Sequence, residues 1–513
     1  MPKKTLAELF QNYPTFNPIP EGIVTGIAVD SREVVPGDLF VATSDRIDGH
    51  GYIPMAIENG AAAVMGTKEM EGLEVPYVRV GDARDAMAQI SAEFYDHPAN
   101  QIILIGVTGT DGKTTTVNFI YQILKEAGIK AGMISTVNAI IGDEEMDTGL
   151  HVTSPEVFDL QKYLRQMVDA GLTHAVLETT SHGLAAKRVL GDVFDIGVVT
   201  NITHEHLDYH GSYQGYFDAK AKLFESLATS KSKQSIEPLV VLNIDDRSYS
   251  DLTKRSKVSR ISYGLDTKAD IYATNVINNP ESLKFIAHGP GFEIPIETSL
   301  IGNYNVANCL AAISATIIGL GIKPEQVQEG IKALHGVPGR MERISLGQEF
   351  LALVDFAHTP FALEAALKTG QDLTAGRVIA LFGSAGLRDK EKRRMMAEIS
   401  SEHADLTILT AEDPRTESLL GILEEMAEGA KSRGGIEGES FFRIPDRREA
   451  IRFALSEAQP NDIVLVLGKG HEQSMCFIET EYPWDDRIAL RAAMASILKI
   501  AGPDMPYLPT QNR

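Results

Sequence analysis

IILIGVTGTDGKTTT, residues 102–116, reads as a buried β-strand that ends in a glycine-rich turn and opens directly into a helix. That order is what a nucleotide phosphate site requires. Gly106, Gly109 and Gly112 let backbone N–H groups approach phosphate oxygens, Lys113 can neutralise the β/γ-phosphates, and Thr114 offers a hydroxyl to Mg²⁺. The strict G-x-x-x-x-G-K-T spacing needs glycine at 107, where Val107 stands. The alternative is a tight turn with a surface lysine, but that leaves the apolar strand, the amphipathic helix and the GKT triplet unexplained together.

Outward from this loop, apolar runs such as HAVLE (174–178) and DIGVVTN (195–201) alternate with helical segments. The alternation predicts a mostly parallel sheet covered by helices. DHPAN (96–100) and HGVPGRMER (335–343) are polar or Gly/Pro-rich breaks suited to domain boundaries. They predict three α/β domains over residues 1–98, 99–336 and 337–513, in line with a length of 513 residues at roughly 150 per domain. In the third, VIALFG, LTILTA and DIVLVLG are the strand candidates, and ligands would meet the loops beyond their carboxyl ends.

A formal net charge of −22 argues against broad attraction to nucleic acid or an anionic membrane. Cys309 and Cys476 are too few for a disulfide framework, and the N-terminal apolar residues are broken up by Glu8, Gln11 and Asn12. No uninterrupted apolar run reaches about 18 residues. A cytoplasmic protein is the expectation.

Glu178 ends HAVLE and His206 follows VVTNIT, so both fall just beyond strands expected to flank the phosphate loop. They could share a metal site. His204, His206 and His210 alone would also admit zinc, with the ordinary reading that His204 and His210 are loop histidines. In YFDAKAKLF, helical spacing puts Tyr216, Lys220 and Phe224 on one face and lets Lys222 pair with Asp218 on another. A lysine on an apolar face ordinarily snorkels to water.

TGTDGKTT resembles the loop of the Mur ligases and their folate-polyglutamating relatives, and further segments resemble the Mur ligases of the diamino-acid-adding, MurE, type. DSREVVPGDLFVA (30–42) and DGHGYI (48–53) resemble that family's uridine-diphosphate-binding first domain. ETTSHGL, TNITHEHLDYHG, YFDAKAKLF, GRMERI, VDFAHTP and GKGHE follow in the family's order. The resemblance implies a small UDP-binding α/β domain, a central P-loop ATPase-like domain and a C-terminal Rossmann-like domain. It implies phosphorylation of a peptide carboxylate by ATP, then attack of an amine on the acyl phosphate. The expected partners are UDP-N-acetylmuramoyl-L-alanyl-D-glutamate and a diamino acid, in peptidoglycan synthesis by a monomer.

Residue by residue, the resemblance implies ATP contacts from Gly109, Thr110, Gly112, Lys113, Thr114, Thr115, Asn305, Arg340, Asp355 and His358. Mg²⁺ would be held by Thr114, Glu178, His206 and a carbamylated Lys220. Ser31, Thr153, Ser154, Thr180 and Arg188 would bind the UDP-linked substrate, and Arg388, Asp413, Arg415, Gly468 and Glu472 the incoming amino acid. Capping or turn roles are the ordinary reading at several of these isolated positions, Asn305 and Thr180 among them.

Three departures stand out. Ala186 replaces the family's usual Gln, Ser154 its second Thr, and EDPR (412–415) its diaminopimelate-associated DNPR. Arg415 points to meso-diaminopimelate, while the extra acid at 413 points to lysine or ornithine. The rivals are the D-alanyl-D-alanine-adding Mur ligase, which shares DSR and PGDLF but not SHGL or HLDYHG, and a noncatalytic nucleotide-binding homologue. Folate polyglutamation is further off, because that family lacks the UDP-binding domain.

Overall fold

The computed structural model describes residues 2–43, 48–147, 155–189, 194–203, 207–230, 232–234 and 236–512. IILIGVTGT forms the strand Ile103–Thr108, buried along its whole length inside an 11-stranded sheet, and Lys113–Glu126 forms the helix that follows. A strand covered by helices on both faces has no solvent side, which is why its sequence runs apolar without alternation. His174–Glu178 and Ile196–Val199 flank it in parallel, so their carboxyl ends converge with the phosphate loop.

The helix Lys113–Glu126 buries Val117, Phe119, Ile120, Ile123 and Leu124 in one core, shared with the helices Tyr304–Ile313 and Pro324–Ala333. A second core, on the other face, holds Phe194, Leu223 and Phe224. Gly106 belongs to this packing rather than to the phosphate loop. A Cβ there would lie 2.8 Å from both Leu223 Cδ1 and Phe194 Cε1, so the glycine admits a helix against the sheet. The expectation that it opens the backbone to phosphate is corrected.

The sheet departs from parallel at its edges. Ile271–Asn278, Leu283–Gly289 and Phe292–Thr298 form an antiparallel meander that the sequence reading did not separate out. Its last strand alternates cleanly, burying Ile294, Ile296 and Thr298 while the residues between them face solvent.

A four-stranded parallel sheet, Gly26–Ala28, Asp38–Val41, Ala63–Gly66 and Tyr77–Arg79, precedes this body. A six-stranded sheet follows it, in the order Glu342–Arg343, Leu351–Asp355, Ile463–Leu467, Val378–Phe382, Leu406–Leu409, Phe441–Arg443, with only the first pair antiparallel. All six apolar runs read from the sequence as strands in the second and third regions are strands. At DHPAN the backbone turns through left-handed φ values of 57° at Asp96 and 47° at His97; within HGVPGRMER, Gly339 and Met341 do the same at 63° and 46°. Among the described residues no helix is long and apolar enough to cross a membrane, and both cysteines are free.

Candidate active site

The phosphate loop is a backbone structure held from behind by the next strand's end. Thr110 and Asp111 donate their N–H groups to the Asn201 backbone and side-chain oxygens at 2.7 and 3.0 Å. Gly109 has φ of 152° and a Cβ there would clash with the Thr200 hydroxyl; Gly112 has φ of 81° and a Cβ there would clash with the Asn308 amide oxygen. Only glycine fits either position. Gly112 caps the 14-residue helix Lys113–Glu126, whose free N–H groups and positive dipole end therefore face the loop.

Side chains converge on this frame. Lys113 Nζ donates to the Thr110 carbonyl at 2.8 Å and stands 4.0 Å from Glu178 Oε1. Thr114 Oγ1 donates to Glu178 Oε2 at 2.9 Å, and Thr136 reaches the same oxygen through its N–H and hydroxyl, both at 3.3 Å. A hydroxyl and a buried carboxylate in contact are oxygen donors of the kind a hard divalent cation takes. His206, like Thr153 and Ser154, lies outside the described residues. His204 lies outside them too, so the zinc alternative falls beyond the described residues, among which no group of three His, Cys, Asp or Glu could hold a metal ion. His210 instead sits among rings, 5.6 Å from His182 and 5.3 Å from Tyr216.

Lys220 is not a snorkelling lysine. It is 1% exposed, donates to the Gly109 carbonyl at 2.6 Å and lies 4.6 Å over the Tyr216 ring. Tyr216 in turn donates to Thr110 Oγ1 at 3.1 Å, so the expected helix face does deliver Tyr216 and Lys220 to the phosphate loop. The expected Lys222–Asp218 pair is corrected: Asp218 accepts from Gln214 and pairs with Arg255, which is presented by a neighbouring helix.

The remaining expected residues fall into three groups. Asn305 is buried in its helix, donates to Ile301 and accepts from Asn308, the residue that covers Gly112. Arg340 crosses from the third region, donating to Thr114 Oγ1 at 3.1 Å with its guanidinium 4.7 Å over Phe356. Asp355 accepts from Met341 N at 2.7 Å; burial raises its carboxyl above the usual range, opposed by Arg340 beside it. His358 bonds the Phe356 carbonyl. Thr115 is buried in the helix's first turn.

Around the expected UDP-linked substrate, Ser31 is buried beside Met55, and Thr180 does cap the helix Ser181–Ala185 through Gly183 N. Arg188 pairs with Glu156 at 2.6 Å, and Arg84 of the first region pairs with the same carboxylate at 2.8 Å. Ala186 ends the short helix.

The expected amino-acid residues meet beyond the strands Leu406–Leu409 and Ile463–Leu467. Lys469, which the sequence reading passed over, pairs with Asp413 at 3.0 Å and Glu472 at 2.5 Å. Burial would lower its pKa, but the two carboxylates win and hold it above the usual lysine range. Burial raises Glu472, opposed by Lys469. Gly468 has φ of 105° and is covered by Glu412. Asp413 and Arg415 are themselves left-handed, at 39° and 53°, and a hairpin, Ser474–Phe477 with Thr480–Pro483, fixes them: Cys476 N donates to Asp413 and Arg415 N to the Cys476 carbonyl. Arg388 is half-buried on the adjoining loop.

Beneath them Arg447, another residue missed, is fully buried against Asp486 at 2.6 Å and donates to the Ala411 and Leu467 carbonyls. Those carbonyls immediately precede Glu412 and Gly468. The sole tryptophan, Trp484, also bonds Asp486, a signal that composition alone could have raised.

Comparison with known proteins matches residues 23–95 to "Mur ligase family, catalytic domain", 107–316 to "Mur ligase middle domain" and 339–470 to "Mur ligase, glutamate ligase domain". A relative from Roseiflexus sp. (strain RS-1), "UDP-N-acetylmuramyl-tripeptide synthetase", is 42% identical over 92% of this chain and 95% of its own. One from Geobacillus thermodenitrificans (strain NG80-2), "UDP-N-acetylmuramoyl-L-alanyl-D-glutamate--2,6-diaminopimelate ligase", is 38% identical with the same two coverages. A solved structure titled with that same ligase activity superposes with a TM-score of 0.66 at 28% identity, over 97% of this chain and 100% of that one. The MurF ligase of Thermotoga maritima with ADP shares the fold, at a TM-score of 0.62 and 18% identity over 86% of this chain and 94% of its own.

Proposed function

Because the chain belongs to the Mur ligase family and is an ATP-dependent ligase, we propose that it joins a diamino acid to UDP-N-acetylmuramoyl-L-alanyl-D-glutamate in peptidoglycan synthesis. The observation that carries this reading is the Arg340 bridge to Thr114. It brings the region bearing the amino-acid residues onto the phosphate loop, as a reaction joining a phosphorylated carboxylate to an amine demands.

In this mechanism the loop N–H groups, the helix N-terminus and Lys113 hold the β- and γ-phosphates, and Arg340 meets charge developing on the transferred group. A carboxylate oxygen of the substrate attacks the γ-phosphorus and ADP leaves. The amino acid's α-amine then attacks the acyl carbon, the tetrahedral intermediate collapses, phosphate departs and the amine's proton is lost. Thr114 and Glu178 would hold Mg²⁺, with His206 and Lys220 the family's further ligands, and the ion would neutralise phosphate charge. Carbamylation would turn Lys220 from cation to oxygen donor beside Gly109. Ser31, Thr153, Ser154, Thr180 and Arg188 would bind the UDP-linked substrate, which fits division of the chain at residues 98 and 336.

For the amino acid, the reading favours meso-diaminopimelate. The Arg415 guanidinium has no ion-pair partner among the described residues, leaving it open to a distal carboxylate. Asp413, acidic where DNPR has an amide, is the observation that favours lysine or ornithine. A panel decides: enzyme, ATP, Mg²⁺ and the UDP-linked dipeptide with each diamino acid, products weighed by mass spectrometry. Product with meso-diaminopimelate in preference to the others is expected; preference for lysine or ornithine overturns the choice of amine, and no product with any overturns the ligase substrate.

A further inference from the structure

Two carboxylates, Asp413 and Glu472, hold one buried ammonium, Lys469, at the mouth of the third sheet, and a third, Glu412, lies close enough to raise the Glu472 carboxyl. Lys469 is 1% exposed and makes three contacts: Asp413 Oδ1 at 3.1 Å, Asp413 Oδ2 at 3.0 Å and Glu472 Oε2 at 2.5 Å. Both oxygens of Asp413 are engaged, and Oδ1 also accepts from Cys476 N at 2.9 Å. Glu472 meets the same ammonium from the other side through Oε2, so one buried cation holds both carboxylates.

Glu412 is an independent pointer to a cation. It is only 7% exposed, and its Oε2 has no hydrogen-bond partner. That oxygen faces Gly468, where a Cβ would collide with it. A buried, unpartnered carboxylate oxygen is costly unless something positive approaches it.

The arithmetic of charge then turns on position 413. Asp413, Glu472 and Lys469 sum to one net negative charge; with an asparagine at 413, as in DNPR, the same three would sum to zero. An ion pair between Lys469 and Glu472 alone would satisfy both and leave neither for the incoming amine. With both oxygens of Asp413 on the same ammonium, Lys469 neutralises only one of the two carboxylates it holds.

We propose that Lys469 is a positioning residue for amino-acid selection, shared between Asp413 and Glu472 so that the pocket presents an aimed, net negative carboxylate to the distal ammonium of the incoming diamino acid. The inference rests on the ligase reading and deepens it, because meso-diaminopimelate, lysine and ornithine all carry that ammonium. Arg415 reads a distal carboxylate if there is one; the Lys469 cluster reads the amine that all three share.

The test is steady-state kinetics on the full-length enzyme, with each substrate varied in turn and the diamino acid that the wild type uses best. Lys469→Met should raise KM for the diamino acid about tenfold or more, the scale of a charged hydrogen bond, with KM for ATP and for the UDP-linked dipeptide changed by less than about twofold. Lys469→Arg should restore most of the loss, since a guanidinium can still bridge two carboxylates. Equal rises in all three KM values, or no recovery with arginine, would mean that Lys469 only knits the loops together, and the proposal falls.

Should Lys469→Met fail to fold, the isosteric Asp413→Asn decides. It should raise the diamino acid's KM by about tenfold at a KM for ATP within about twofold of wild type, and an unchanged amine KM overturns the proposal. A wild type that forms no amide with any diamino acid overturns the ligase reading and this inference together. An active wild type with unaffected variants overturns the inference alone.

Discussion

The phosphate loop and the proposed amino-acid pocket are built on opposite principles. The loop is made of backbone: two glycines that no other residue can replace, N–H groups tied to Asn201, and a helix N-terminus facing the turn. The pocket is made of side-chain charge: Lys469 between Asp413 and Glu472, Glu412 over Gly468, and Arg447 clamping both strand ends from below. Backbone sites serve a group common to every reaction of this kind, the polyphosphate. Side-chain sites can be retuned by one substitution, which suits the component that varies.

That contrast breaks most easily at the pocket's foundation. Arg447→Met should destabilise the protein by about 3–5 kcal/mol, because it strands the Asp486 carboxylate in a buried site and frees the Ala411 and Leu467 carbonyls. Thermal or denaturant unfolding reads this out. A change below about 1 kcal/mol would mean that the pocket does not depend on its buried ion pair.

At the loop, Lys113→Ala should cost about 100- to 1,000-fold in kcat with stability nearly unchanged, since its side chain contacts the Thr110 carbonyl and Glu178 rather than the core. Near-normal turnover at saturating ATP would defeat the phosphate assignment. Arg415→Ala should lower kcat/KM for meso-diaminopimelate by about 10- to 100-fold and for lysine much less, sharpening the pocket's side of the comparison. Equal losses would make Arg415 a support for its loop.

The smallest effect is expected at Lys222, two residues from Lys220. Lys222→Ala should leave activity within about twofold, whereas Lys220→Ala, which removes a buried group on the Gly109 carbonyl, should be severely impaired and partly recovered by acetate. Comparable losses at the two positions would contradict the helix-face argument.

The same contrast explains what could be read in the sequence. Strand, turn and helix around residues 102–116 were legible because backbone sites demand particular residues at fixed spacings, and the helical period alone placed Lys220 with Tyr216. Gly106 misled, because a glycine that admits Leu223 and Phe194 looks the same in sequence as one that admits phosphate. The meander over 271–298 was overlooked although IYATNVIN, LKFIAHG and FEIPIET are separated by NPES and the GPG turn, a pattern of period two. Lys222 and Asp218 have the right helical spacing, yet Arg255 arrives from another helix and takes the carboxylate. Arg447 was illegible for the same reason, its partner lying 39 residues away; Lys469 has Glu472 three residues on, but its other partner, Asp413, is 56 residues distant and only folding brings it in.

In the proposed reaction a carboxylate is activated by phosphoryl transfer at the loop before the amine attacks. Labelling the reacting carboxylate of the UDP-linked dipeptide with oxygen-18 and analysing the released phosphate tests it directly. A single labelled oxygen is expected in each phosphate, carried over from the bridging position of the acyl phosphate, with release depending on both dipeptide and diamino acid. Unlabelled phosphate accompanying amide formation would contradict it.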